Sequence, residues 1–536
     1  MKAFITFSSF VLSIFSSNLL SQPKSELLTY IVEEYVSETS PGMAVLATKN
    51  GEVVYEYAHG LRDFSSREKL STDRIFRIGS VTKRFTAVAI MKLVEEGKLQ
   101  LDDPISKYIG EEVSAPDITI RQLLQHTSGL GNQQDLAEFR MDEIKEVPED
   151  MIVPILSATP KFPAGSAYAY SNLGYVLLGH IIEVASGTSY ENYLMDEFFG
   201  PLKMDNTGFE YITDFSSKMA KGHSSEGEIF KYAEPINMQI PFAAGGMVSS
   251  LHDLSKWNKA VMEGKVISQP YVEQLQTSHV LANGELTGYS QGWQIGNIQG
   301  VKTVKHDGIV NGFTAMAIYL PKEDLFIAAL SNCDKNRDIE IPTSKIAAAL
   351  MDKPFRSEPM DLSMESLQKY QGTYQSGGME MQIVAHDDVL MYYRKGGAKT
   401  SLVPTEDGKF LLSGSLDQII FSGEGDGYSF LTLSGKEAWK RTGLLEGYYS
   451  LEMNPETENE YIGRYQVPGK FVFEVYKEED KIFGKIGNDP KEIFSYDKDR
   501  FTSTMLDAKL DFIRDEAGKV TQLKIDMGPK FTADKL

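Results

Sequence analysis

The sequence predicts an α+β domain followed by two small all-β units, and three observations carry that reading. Strand-like segments open and close roughly the first 355 residues while helical periodicity fills the middle, an order that lets both ends complete one antiparallel sheet. After about residue 355 the pattern changes to short alternating segments punctuated by Gly, Asp and Ser. Within that tail Tyr370-Gln371-Gly372-Thr373-Tyr374 is matched by Tyr461-Ile462-Gly463-Arg464-Tyr465, and the same offset of 91 residues carries Phe410 onto Phe501 and Phe421 onto Phe512.

Each element follows from local chemistry. Pro41-Gly42 leads into Met43 to Thr48, then Asn50-Gly51, then Val53 to His59; Asn-Gly between two apolar runs predicts a β-hairpin. From Ser80 to Glu96 the apolar positions Val81, Phe85, Val88, Ala89 and Leu93 recur at helical spacing, and Gly97 stops the run. Asp102-Asp103-Pro104 marks a turn. Helical patterns recur at Ile118 to His126, Ser171 to Ala185 and Asp253 to Met262, whereas Val301 to His306, Thr314 to Leu320 and Leu325 to Ser331 predict strands. The tail reads as two copies of one antiparallel unit, each about the size of an eight-stranded lipocalin-like barrel that closes its own edges. The expected boundaries are 1–21 for a signal peptide, 22–355 for the α+β domain, and 360–444 and 450–536 for the barrels.

Bulk properties narrow the function. A chain of 536 residues with 42% apolar and 24% charged residues is too long for one core. The 75 acidic against 54 basic side chains give a formal charge of −21, and the basic residues are scattered, which excludes nucleic acid as a partner. Lys2, the apolar and serine-dotted stretch Ala3 to Leu20, and Ser21-Gln22-Pro23 have the pattern of a secretory signal, so a periplasmic or secreted protein is expected. No stable membrane insertion is expected beyond that segment. The single cysteine, Cys333, excludes an intrachain disulfide and a cysteine-based metal site.

Three short elements carry chemistry. In Ser80-Val81-Thr82-Lys83 an amine three residues along a helix shares a face with the serine hydroxyl and can take its proton. Spacing alone does not distinguish it, because Ser21/Lys24, Ser66/Lys69, Ser366/Lys369 and Ser495/Lys498 share it; only Ser80 opens an apolar helix after a hairpin. The bland alternative is an N-capping serine with a solvated lysine. Next, Tyr170-Ser171-Asn172 places a tyrosine that can relay the nucleophile's proton and an amide that can hold both lysine and substrate; a packing tyrosine is the alternative. Last, His306-Asp307-Gly308 sits at the end of a strand, where Gly308 admits a substrate backbone and the amides of Ile309 and Ser80 can form an oxyanion hole. A lone histidine there is ordinarily structural.

In this order, Ser80-x-x-Lys83, Tyr170-x-Asn172 and His306-x-Gly308 resemble the signature of the serine β-lactamase and DD-peptidase superfamily, in its branch with a tyrosine in the second motif. The surrounding Gly97-Lys98-Leu99, Leu123 to Leu130 and Gly245 to Ser250 agree, over roughly residues 28 to 350. The resemblance implies a β-lactamase/transpeptidase-like catalytic domain and two-step acyl transfer without metal or cofactor. It makes Ser80, Lys83 and Tyr170 catalytic and Asn172, His306, Gly308 and Ile309 substrate-binding, with His126 in a structural turn. The third motif departs from the Lys-Thr-Gly of typical β-lactamases, whose lysine and threonine help bind the substrate carboxylate; acidic Asp307 stands in the middle. The tail resembles the two-barrel tail of one family of D-aminopeptidases. The expected function is therefore a peptidase or amidase for D-residue-containing peptides, its partner a small-molecule or short-peptide substrate. A carboxylesterase or weak class C-like β-lactamase is the alternative, and a non-catalytic scaffold is the alternative of another class.

Overall fold

The computed structural model describes residues 24–109, 117–132, 147–226, 229–334 and 338–353 and, in interrupted stretches, 360–443 and 459–536. The expected signal segment 1–21 lies outside the described residues. The chain divides into two compact units, Met1–Phe355 and Arg356–Leu536.

In the first unit, helix α1 (Lys24–Tyr35) precedes a hairpin of β1 (Met43–Lys49) and β2 (Glu52–His59). Asn50 and Gly51 form its turn with φ of 53° and 78°, the left-handed pair that an Asn-Gly hairpin uses. Helix α2 (Thr82–Glu95) follows, then, among other helical segments, α3 (Asn172–Ser186) and α4 (Leu251–Met262). Strands β3 (Gln294–Ile298), β4 (Val301–Val310), β5 (Phe313–Leu320) and β6 (Leu325–Ser331) and helix α5 (Glu340–Leu350) complete the unit.

The six strands form one antiparallel sheet in the order β2-β1-β6-β5-β4-β3. The N-terminal hairpin joins the late strands through β1 and β6, with Met43 opposite Ser331 and Lys49 opposite Leu325. Both faces are covered, so β1, β5 and β6 are buried almost throughout rather than alternating. On one face Met43, Val45, Met316, Ile318 and Ile327 pack with α1 and α5. On the other, Ala44, Leu46, Val304, Ala315 and Ala317 pack with the helical layer around α2 and α3. Helix α2 is buried nearly all round, its polar Thr82, Lys83, Arg84 and Thr86 included, because it runs through the middle of this second core.

Three boundaries differ from the sequence reading. Helix α2 begins at Thr82 after a 3₁₀ turn at Gly79–Val81. The helix expected over 118–126 is only Ile120–Leu124, ending where His126 turns to φ 56°. Strand β4 runs on to Val310, so His306-Asp307-Gly308 lies inside the strand rather than at its end.

The second unit consists of two closed eight-stranded antiparallel barrels, running from Gly372 to Gly443 and from Gly463 to Lys535. Each closes by pairing its first strand with its last, Thr373 with Gly443 and Tyr465 with Lys535. The 91-residue repeat is visible atom by atom. Tyr374 Oη donates to the Tyr370 carbonyl at 2.8 Å, and Tyr465 Oη to that of Tyr461 at 2.7 Å. Tyr370 packs 5.0 Å from Phe410 and 4.5 Å from Phe421, as Tyr461 packs 4.8 and 4.9 Å from Phe501 and Phe512. One difference between the copies lies beside this cluster: Arg514 donates to Asp499 at 2.7 Å, where the first copy has Gly423 and Gly408.

Candidate active site

The turn bearing Ser80 is pressed directly against β4. Gly79 has φ 49°, and a Cβ there would meet the backbone nitrogen of Ile309 at 2.9 Å. A Cβ on Gly308 would lie 2.0 Å from the Ile78 carbonyl oxygen and 3.0 Å from the Ser80 nitrogen. The two backbones approach this closely only because neither position carries a side chain. Gly308 thus seats the strand against the turn bearing Ser80, a packing role that the sequence reading missed in favour of substrate access. The contact sets the amides of Ser80 and Ile309 side by side. Ser80 is also not a helix cap: the capping position is Val81, and no side chain caps it.

Lys83 is fully buried one turn on. Its Nζ lies 3.1 Å from Ser80 Oγ, 2.7 Å from Asn172 Oδ1 and 2.7 Å from the Ala244 carbonyl. The segment bearing that carbonyl is held against α2 on both sides: Thr86 Oγ1 donates to the Ala243 carbonyl at 2.6 Å, and the Met247 amide donates to Thr82 Oγ1 at 3.3 Å. Burial holds the Lys83 amine well below its ordinary pKa, opposed in part by the charge of Asp307. Asn172 Oδ1 and the Ala244 carbonyl only accept, so two N–H bonds of an uncharged amine are used on them. Its lone pair is then left for the Ser80 hydroxyl proton. The decoy Lys69, by contrast, lies 72% exposed against Glu38.

Tyr170-Ser171-Asn172 is held by the loop from His126 to Asn132. Asn132 grips it at both ends, Nδ2 donating to the Tyr170 carbonyl at 3.0 Å and Oδ1 accepting from the Asn172 amide at 2.7 Å. Between them the Ser171 amide donates to His126 Nδ1 at 3.1 Å, and Ser171 Oγ donates to the Gly131 carbonyl at 2.7 Å while capping α3 at Gly174. His126 is therefore neutral, its proton on Nε2, and burial holds its pKa well below the usual imidazole value. Asn132 escaped the sequence reading; its only signal was its place just after Leu123 to Leu130. The Tyr170 ring lies 4.8 Å from Lys83 Nζ. Burial pushes the phenol well up, with a hydrogen bond to Ser80 opposing, so Tyr170 is a neutral O–H.

His306 departs from the expected substrate-binding role. It is 1% exposed and both ring nitrogens are engaged within the protein. Nδ1 donates to the Asp307 carbonyl at 2.6 Å, and Nε2 accepts from Tyr289 Oη at 2.9 Å. Burial pushes its pKa down to about 4. The imidazole anchors β4 to the tyrosine cluster behind the site instead of facing solvent. Asp307, on the opposite face of the strand, accepts from Gln294 Nε2 at 2.8 Å. The structure thus brings Ser80, Lys83, Tyr170, Asn172, Gly308 and Ile309 together and leaves His306 behind them. Among the described residues no His, Cys, Asp and Glu cluster could hold a metal ion, and no helix is long and apolar enough to cross a membrane.

Residues 28–350 match the Beta-lactamase family model, well over half of the chain. The chain belongs to the Beta-lactamase family. Its relatives include a penicillin-binding protein. Penicillin-binding protein 4* of Bacillus subtilis is 25% identical over 77% of this chain and 97% of its own length. Protein flp of Staphylococcus aureus is 28% identical over 59% of this chain, and the match spans 64% of that relative's length. Among solved structures, the octameric penicillin-binding protein homologue from Pyrococcus abyssi is 28% identical with a TM-score of 0.55, over 78% of this chain and all of that one. The D-amino acid amidase of Ochrobactrum anthropi shares the fold, with a TM-score of 0.54 at 22% identity over 61% of this chain and 99% of its own. Residues 452–536, spanning the second barrel, match a family described as a domain of unknown function, DUF3471.

Proposed function

We propose that the chain is an exported serine hydrolase that forms an acyl-enzyme on Ser80 and acts as a peptidase or amidase on short peptides containing D-residues. The observation that carries this is the buried Lys83 amine, 3.1 Å from Ser80 Oγ with its other two contacts made to fixed acceptors. Lys83 takes the serine proton as Oγ bonds to the substrate carbonyl carbon. The amides of Ser80 and Ile309 hold the oxyanion, and Asn172 orients both the amine and the substrate. As the bond to the leaving nitrogen breaks, that nitrogen takes a proton from Tyr170 Oη, which Lys83 resupplies. Water then attacks the ester, losing its proton to the same pair, and releases the carboxylic acid with Ser80 restored.

Export is supported by the signal-like residues 2–21, and a peptide substrate by the penicillin-binding relatives. The test is mass spectrometry of the protein incubated with a fluorophosphonate and, separately, with a fluorescent penicillin, with Ser80→Ala as control. An adduct on Ser80 that is absent from a folded Ser80→Ala protein is expected from the fluorophosphonate, and a lasting one from the penicillin. A chain labelled by neither is a scaffold, and one labelled only by the fluorophosphonate is an esterase-type enzyme.

A further inference from the structure

The third motif places a carboxylate where a substrate must lie. Pairing between β3 and β4 ends at Gln294 opposite Lys305, so from His306 onward no strand among the described residues neighbours this side of β4, and the Ser80 turn packs on it at Gly308. Asp307 stands in that open stretch, half-buried, one residue from the contact with Ser80. Gln294 Nε2 fixes one of its carboxylate oxygens at 2.8 Å, and among the described residues no lysine or arginine pairs with it. The neighbouring Lys305 is taken by Glu340. Ile309 and Tyr168, 44% and 36% exposed, leave the rim accessible to solvent.

The titratable groups on which the Asp307 carboxylate acts are Lys83, His306, Tyr168 and Tyr170. Burial lowers the pKa of Lys83 and His306 and raises those of Tyr168 and Tyr170. A substrate entering along β4 meets the Asp307 carboxylate. A carboxylate there is repelled by a like charge, whereas an ammonium gains a charge-assisted hydrogen bond. Reach is consistent with this. Asp307 is two residues, about 7 Å of strand, from the Ile309 amide expected at the oxyanion. An α-ammonium two bonds from the scissile carbonyl carbon and the aspartate side chain together span that gap.

We infer that Asp307 selects substrates by charge: it receives the free α-ammonium group of an amino-acid amide or N-terminal residue and turns away carboxylate-bearing substrates. This rests on the reading of Ser80 as the acyl-forming nucleophile, and it narrows that reading to amine-bearing substrates. Gln294 acts as a positioning residue for the carboxylate.

The experiment measures protection of Ser80 from fluorophosphonate labelling in the full chain by three matched competitors: D-alaninamide, N-acetyl-D-alaninamide and N-succinyl-D-alaninamide. The expected order of protection is cationic, then neutral, then anionic. Asp307→Asn is expected to shrink the ratio of cationic to neutral protection about tenfold, the worth of one charge-assisted hydrogen bond. Asp307→Lys is expected to bring the succinylated compound to the front. If a variant fails to fold, the wild-type chain supplies an independent reading, since high salt should erode the preference for the amine. Labelling at Ser80 with no preference for the amine, or a preference that survives in Asp307→Asn, overturns the role of Asp307 and leaves the hydrolase standing. Absence of Ser80 labelling in the wild-type chain overturns both.

Discussion

Replacing Gly308 by alanine tests whether the backbone contact between β4 and the nucleophile turn builds the site. Gly308 has an ordinary strand conformation, so the change is one of space alone. The added methyl would sit 2.0 Å from the Ile78 carbonyl oxygen and 3.0 Å from the Ser80 nitrogen. Both obstacles are backbone and cannot rotate away. Opening the shorter contact even to 3.0 Å requires strand and turn to separate by about 1 Å, a displacement that costs catalysis about 100-fold when it misplaces reacting groups. Overpacking of this kind destabilises by about 1–3 kcal/mol. Gly97→Ala is the control: Gly97 has φ 70° and a methyl there would have nothing within 4 Å, so it costs about 1 kcal/mol of backbone strain without moving Ser80. The assay is the rate of fluorophosphonate acylation of Ser80 beside thermal unfolding of each variant. A Gly308→Ala protein acylated at the wild-type rate would refute the argument that this contact sets the oxyanion site.

Three further outcomes follow from the geometry. Because the active form of Lys83 is the uncharged amine and burial lowers its pKa, the acylation rate should rise with pH through that lowered value and then level off. Lys83→Met should abolish acylation at every pH, and a wild-type rate independent of pH on the acid side would count against Lys83 as the base. His306, about 4 in the folded chain against an ordinary 6.5, lets the unfolded state bind a proton that the folded state refuses. Stability is therefore complete above pH 6.5 and lost as the pH falls toward 4, by at most about 3 kcal/mol from this residue. Urea titrations at several pH values should show a shallower acid loss in His306→Gln; an unchanged slope would mean the imidazole is not held neutral. Asn132→Ala removes both grips on the Tyr170–Asn172 segment and should slow acylation by about tenfold while destabilising by about 1–2 kcal/mol, measured by labelling kinetics and thermal melts.

What the sequence reveals and what it conceals divides along the range of the interactions. The hairpin at Asn50-Gly51 is legible because its left-handed turn is dictated by two adjacent residues. Helix α2 is legible because its apolar residues repeat at the helical period, and the two barrels because a 91-residue offset preserves the same aromatic cluster and tyrosine hydrogen bond. Ser80, Lys83, Tyr170 and Asn172 are legible because each pair sits within a few residues of a recognisable start of helix. Asn132 is not, since it acts on the backbone of residues 38 and 40 positions away. The fate of His306 is likewise hidden, because it depends on Tyr289 arriving from another loop. Strand β4 outruns its expected end because Gly308, which reads as a break in one dimension, is where another backbone needs room.

The strand order has a consequence for when the site is assembled during synthesis of the chain. The first two strands wait for a partner, β6, that lies nearly 300 residues downstream, with Met43 opposite Ser331. Ser80 emerges early, but the strand that sets its backbone against Ile309 is not made until residue 310 and is not locked into the sheet until β6 follows. Such long-range pairing folds late and slowly. A growing or unfolded chain thus carries Ser80, Lys83 and Tyr170 without the backbone of Ile309 beside them, and the proposed site is assembled only as the sheet closes.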